Sequence, residues 1–141
     1  MEHLLPFIHH HWALVALLAF IFIVIIGFES FMKTREAKEI DAQSAIHLIN
    51  QEKAPIIDVR PKEAYQAGHI IGALNVPMAD LATSMKKLEK YKNKFIVLVC
   101  DNAQVSQKAA KELGKLKFTQ VKILKGGLDA WNKEHLPLES K

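Results

Sequence analysis

Cysteine is almost missing from this chain: Cys100 is the single one in 141 residues. No intramolecular disulfide can form, and a lone thiol suits a reducing compartment. Basic residues are missing from the first 32 positions, where the only formal charges are Glu2 and Glu29. A secretory leader would want a basic start and a small-residue cleavage site, but the start is MEHLLPFIHHH and the exit is GFESFM. An uncleaved segment is the better reading. Repeats and low-complexity tracts are absent, and no basic stripe is interleaved with aromatics, so nucleic acid fits poorly. From Lys33 onward nineteen basic residues face thirteen acidic ones, a net +6. Most of these lysines neighbour acids in helical stretches, as in Lys86-Lys87-Leu88-Glu89-Lys90, and read as solvated surface. Against an anionic leaflet each would contribute up to ~1 kcal/mol.

What is present begins with Trp12–Phe28 (WALVALLAFIFIVIIGF), an apolar run that spans about 25 Å as a helix at ~1.5 Å per residue. That is the short end of a bilayer core. Phe7, Ile8, Phe31 and Met32 can extend it, and Trp12 suits an interfacial anchor. Residues 1–32 are expected to hold a single membrane-spanning helix at about 12–28. With Lys33, Arg35 and Lys38 crowding its C-terminal flank, the N-terminus is expected outside and the following domain in the cytoplasm. A bacterial inner membrane suits this single-pass arrangement. His9, His10 and His11 are adjacent and point in different directions on a helix, so no metal site is expected.

Residues 33–39 (KTREAKE) read as a charged connector continuing the helix, and 40–141 as one small domain. Asp41 is a good N-cap for a helix carrying Ala42, Ala45, Ile46 and Ile49 inward. Ala54–Val59 reads as a buried strand, and Pro61 opens a short helix ending at Gly68. Ile70, Ile71 and Leu74–Val76 flank Gly72 in a strand-like passage closed by Pro77. Asp80–Tyr91 reads as an amphipathic helix, Phe95–Val99 as a central strand and Ser106–Lys117 as a helix. Val121–Leu124 is a further strand, and Gly126-Gly127 turns into a last helix bearing Trp131. Alternation of strand and helix gives an α/β class with a mainly parallel sheet.

Cys100 directly follows the central strand, where open α/β sheets bind ligands. Loop amides and a helix N-terminus there favour negative charge, and hence the nucleophilic thiolate. A core cysteine ending an apolar run is the alternative, which Asp101 and Asn102 weaken.

Four motifs in order resemble the rhodanese homology domain: Asp58-Val59-Arg60; Gly68-His69-Ile70-Ile71-Gly72-Ala73-Leu74-Asn75-Val76-Pro77; Cys100 after its strand; and Leu124-Lys125-Gly126-Gly127-Leu128-Asp129-Ala130-Trp131. The resemblance covers about 40–138. The anchor plus single domain is similar to membrane-anchored rhodanese-like proteins of proteobacteria. It implies a three-layer fold with about five mainly parallel strands, no cofactor, and a persulfide formed on Cys100. A sulfur donor and acceptor, protein or small thiol, would be the partners. Asp58, Arg60, Gly68, His69, Gly72, Asn75, Pro77, Gly126, Gly127 and Trp131 would be structural, with Gly68 and Gly72 supplying backbone freedom.

The loop departs from the family's usual C-x-x-G-x-R. It reads Cys100-Asp101-Asn102-Ala103-Gln104-Val105, then Ser106, with no glycine and no arginine. Asp101 would repel dianionic thiosulfate with no loop arginine to offset it, by roughly 3 kcal/mol for one pair of unit charges at ~5 Å and an effective dielectric of ~20. Lys125 could approach the loop, but no spacing in the sequence places it there. Were Ala103 left-handed, it would cost about 1 kcal/mol. Phosphatases with C-x5-R loops are excluded, since Ser106 stands where their arginine would be. The expectation is a membrane-anchored sulfurtransferase or sulfur carrier, weak with thiosulfate. The alternatives are a non-catalytic docking module and, more remotely, a redox-sensing thiol.

Overall fold

The computed structural model describes residues 11–33, of which 29–33 by backbone alone, and 37–140. The chain divides into two units, Met1–Arg35 and Glu36–Lys141. In the first, helix α1 runs Trp12–Lys33. Its side chains from Trp12 to Phe28 are exposed on every face. Among the described residues, no helix is long and apolar enough to cross a membrane. Phe7, Ile8, His9 and His10 lie outside the described residues, as do the side chains of Phe31 and Met32.

The second unit runs β1 (Lys38–Ile40), α2 (Ala42–Gln51), β2 (Ile56–Asp58), α3 (Lys62–Ala67), β3 (His69–Ile70) and β4 (Leu74–Asn75). After a 3-10 turn at Met78–Asp80 come α4 (Met85–Leu88), a second 3-10 turn at Glu89–Tyr91, β5 (Ile96–Val99), α5 (Ala103–Lys115), β6 (Val121–Leu124), α6 (Gly127–Lys133) and β7 (Leu138–Glu139). Five strands form one sheet in the order β1-β6-β5-β2-β4, every neighbouring pair parallel. Strands β3 and β7 pair antiparallel beside it, His69 opposite Glu139.

The uniformly apolar β5 sits at the centre because both its faces are covered. Ile96 and Leu98 pack with Ile57, Ile123, Leu88 and the inward row Ala109, Ala110 and Leu113 of α5. Val97 and Val99 face the other way, onto Ala42 and Ala45 of α2, Tyr65 and Trp131. Asp41 caps α2, its Oδ1 accepting the Ser44 amide at 2.8 Å. Hydrogen bonds from Ser44 hold the Asp41 carboxyl below its ordinary range.

Four details differ from the sequence reading. Residues 38–40 form β1, so the connector does not continue α1 to Glu39. Pro61 is the N-cap of α3 rather than its first helical residue. Helix α5 starts at Ala103, three residues early, because Asn102 caps it. The segment 80–91 is broken into short turns rather than one helix. Its apolar residues Leu81 and Leu88 are buried as the periodicity requires. The Asp80 carbonyl accepts both the Thr83 hydroxyl at 3.0 Å and the Ser84 amide at 2.9 Å.

Leu98 is fully buried in the central strand. Leu98→Ala is expected to cost about 3 kcal/mol in chemical denaturation, against under about 0.5 kcal/mol for exposed Lys90→Ala.

Candidate active site

Cys100 leaves β5 at the carboxyl edge of the sheet, and only Asp101 and Asn102 separate it from α5. Asn102 shapes this loop. Its Oδ1 accepts the amides of Gln104 at 2.8 Å and Val105 at 3.4 Å. Its carbonyl accepts both the amide of Ser106 at 3.0 Å and the hydroxyl at 2.8 Å. The expected cradle of loop amides is therefore partly consumed by the chain's own cap. Ala103 is helical and not among the residues with positive φ, so the anticipated left-handed strain is absent.

The opposite wall is the Gly126-Gly127 turn, with φ of +74° and +56°. A Cβ on Gly127 would overlap the Cys100 carbonyl oxygen, so the turn lies flat on the cysteine's own peptide. Only glycine combines this φ with this approach.

Cys100 is 8% exposed. It borders a cavity of about 130 Å³ whose lining also includes Glu39, Asp101, Ala103, Ser106, Lys125, Gly126 and Gly127. Glu39 was not found from the sequence, because Lys38-Glu39-Ile40 sits in a charged stretch that reads as a connector. Lys125, which the sequence allowed to approach the loop without placing it, lines the cavity because β6 neighbours β5 and the residues just past their ends meet.

Asp58 and Arg60 are both buried. The guanidinium forks onto the carboxylate, with Nε donating at 2.9 and 3.0 Å and Nη2 at 2.7 Å. Nη2 also donates to the Gly68 carbonyl at 2.7 Å. Nη1 lies 3.7 Å from Oδ2 of Asp101. Burial pulls the Arg60 pKa down, but the hydrogen bonds and charge of Asp58, with Asp101 adding, leave it raised. Asp101 is thus not unopposed, which corrects the expectation from the loop sequence. The opposing cation comes from the end of β2 and is shared with Asp58.

The remaining motif residues support this edge from further off. Asn75 Nδ2 donates to the carbonyls of Asp58 and Arg60 at 3.2 and 3.0 Å. His69 is fully buried, stacked on Tyr65, with Nδ1 2.7 Å from the Tyr65 carbonyl and Nε2 3.1 Å from Glu139. Gly72 makes its turn at φ +77°. Pro77 caps the first 3-10 turn, and Trp131 is buried with Nε1 donating to Pro137. Gly68 does not need a glycine's freedom: its φ of 171° is extended backbone, and it serves through its carbonyl. Among the described residues no group of His, Cys, Asp or Glu is placed to hold a metal ion.

The model of the rhodanese-like domain matches residues 41–134. The chain belongs to the rhodanese-like family. Relatives align along nearly its whole length: this rhodanese-like chain is 33% identical to YibN of Escherichia coli (strain K12), over 98% of this chain and 97% of that one. An uncharacterized Buchnera aphidicola protein is 33% identical over 98% and 96%. Thiosulfate sulfurtransferase GlpE of Pseudoalteromonas translucida is 35% identical over 67% of this chain and 88% of its own. The crystal structure of the Alr3790 protein from Anabaena superposes with a TM-score of 0.66 at 30% identity, covering 72% of this chain and 82% of that one.

Gly127→Ala is expected to destabilise the rhodanese-like domain by at least about 2 kcal/mol, and Gly68→Ala by no more than about 1 kcal/mol, in the same denaturation measurement. Arg60→Met leaves Asp58 buried without its partner and is expected to cost about 3–5 kcal/mol.

Proposed function

We propose that this protein is a sulfur carrier in which Cys100 holds a persulfide, and that α1 anchors it at a bacterial inner membrane. The observation that carries the reading is a single thiol, past the end of the central strand of a rhodanese-like sheet, bordering a cavity. In the first step the Cys100 thiolate attacks the sulfane sulfur of a donor. A new S–S bond forms, the donor's S–S bond breaks, and the donor's leaving group departs with the electron pair. In the second, an acceptor nucleophile attacks the outer sulfur and Cys100 leaves as thiolate. Splitting the transfer this way is ordinary nucleophilic catalysis.

The charge around the thiol supports a poor thiosulfate enzyme. Glu39 and Asp101 line the cavity against one ammonium, Lys125, and Arg60 is committed mainly to Asp58. For thiosulfate, a dianion, the surroundings are net repulsive.

Anchoring is supported by the run Trp12–Phe28 of α1, apolar and exposed at every side chain, although no helix among the described residues is by itself long and apolar enough to cross a membrane. Lys33 at its end and Arg35 and Lys38 beyond it support a cytoplasmic domain with the N-terminus outside. A second reading, a docking module without catalysis, draws on the small exposure of Cys100 and on the cap that Asn102 places on two loop amides.

Intact mass decides between them. Full-length protein given a hydropersulfide donor is expected to gain one sulfur atom, and Cys100→Ala to gain none. No gain with several donors would leave the docking module. Extraction of membranes with alkaline carbonate tests the anchor: the protein is expected to stay in the pellet.

A further inference from the structure

The cavity beside Cys100 carries a charge pattern that the persulfide chemistry alone does not explain. Two acidic residues, Glu39 and Asp101, and one basic residue, Lys125, are among those that line it together with Cys100. Among the described residues, neither Glu39 nor Lys125 enters an ion pair, so both charges remain for a ligand. The Asp101 side chain is 55% exposed and 3.7 Å from an arginine that Asp58 already engages. A volume of about 130 Å³ lies below the ~300–1,000 Å³ of pockets that enclose a drug-sized ligand, so it suits a small molecule or the tip of a large one.

We infer that the sulfur donor is a small zwitterionic hydropersulfide, one whose ammonium and carboxylate flank the sulfur within a few bonds. Its ammonium meets Glu39 and Asp101, its carboxylate meets Lys125, and its outer sulfur meets Cys100. A dianion satisfies only the lysine and is repelled by both acids. A donor lacking the ammonium loses the larger part of the complement. The step balances without an added oxidant. The Cys100 thiolate bonds to the outer sulfur of R–S–SH, the donor's S–S bond breaks, and R–S⁻ departs with the electron pair and takes up a proton.

This inference rests on the sulfur-carrier reading, and the test separates the two. Full-length protein is mixed with the hydropersulfide of cysteine, with that of N-acetylcysteine, which lacks the ammonium, or with thiosulfate. The rate at which Cys100 gains one sulfur is read by intact mass. The cysteine form is expected to load faster than the N-acetyl form by about fivefold to tenfold, the scale of partly solvated charge contacts, with thiosulfate slowest. Glu39→Gln is expected to shrink that preference, and Lys125→Gln to slow both hydropersulfides while leaving their ratio near its wild-type value. Because each preference is a ratio within one variant, partial unfolding does not imitate it. Equal loading of both hydropersulfides, or a ratio that Glu39→Gln leaves unchanged, overturns the zwitterion inference while the carrier stands. Loading by no donor overturns both.

Discussion

The Arg60 guanidinium is the contact on which the site depends. From one buried position it grips the Asp58 carboxylate at the end of β2, the Gly68 carbonyl at the end of α3, and the Asp101 side chain beside the cysteine. A buried cation survives only with such partners, and so does a buried carboxylate. On the far side the Gly127 backbone lies against the Cys100 carbonyl. The cysteine peptide is clamped between two elements that are remote in sequence and fixed by the sheet. Cys100 itself is 8% exposed, packs with Ile57, Val59 and Ile123, and borders the cavity.

The same arrangement explains how a rhodanese-like loop can lack both glycine and arginine. Asn102 supplies a side-chain cap, which lets α5 begin three residues after the cysteine with no left-handed turn. What is given up is part of the set of free amides that would hold an anionic persulfide. Beside the loop lies a cavity whose lining includes two acidic residues, Glu39 and Asp101, and one lysine, Lys125.

Much of the fold was legible in the sequence because its signals are local. The uniformly apolar run before Cys100, the Asp41 cap and the Gly126-Gly127 turn each dictate their own geometry, and the family motifs supplied the order. Three things were not legible. Strand β1 is three residues whose strand character comes only from pairing with β6, so Glu39 was invisible as a site residue. The break in 80–91 into a 3-10 turn, a four-residue helix and a second 3-10 turn runs against an apolar period that still reads as helical. The meeting of Arg60 with Asp101 spans two strands, and no spacing within one segment announces it.

The central claim is that Cys100, though mostly covered, is reached by solvent through its cavity in the folded protein. The direct measurement is the alkylation rate of native full-length protein by iodoacetamide, small and uncharged, followed by intact mass across low urea concentrations. A rate proportional to reagent and indifferent to urea below the unfolding transition is predicted. Labelling that occurs only as fast as the domain opens, and accelerates with urea, would contradict the account.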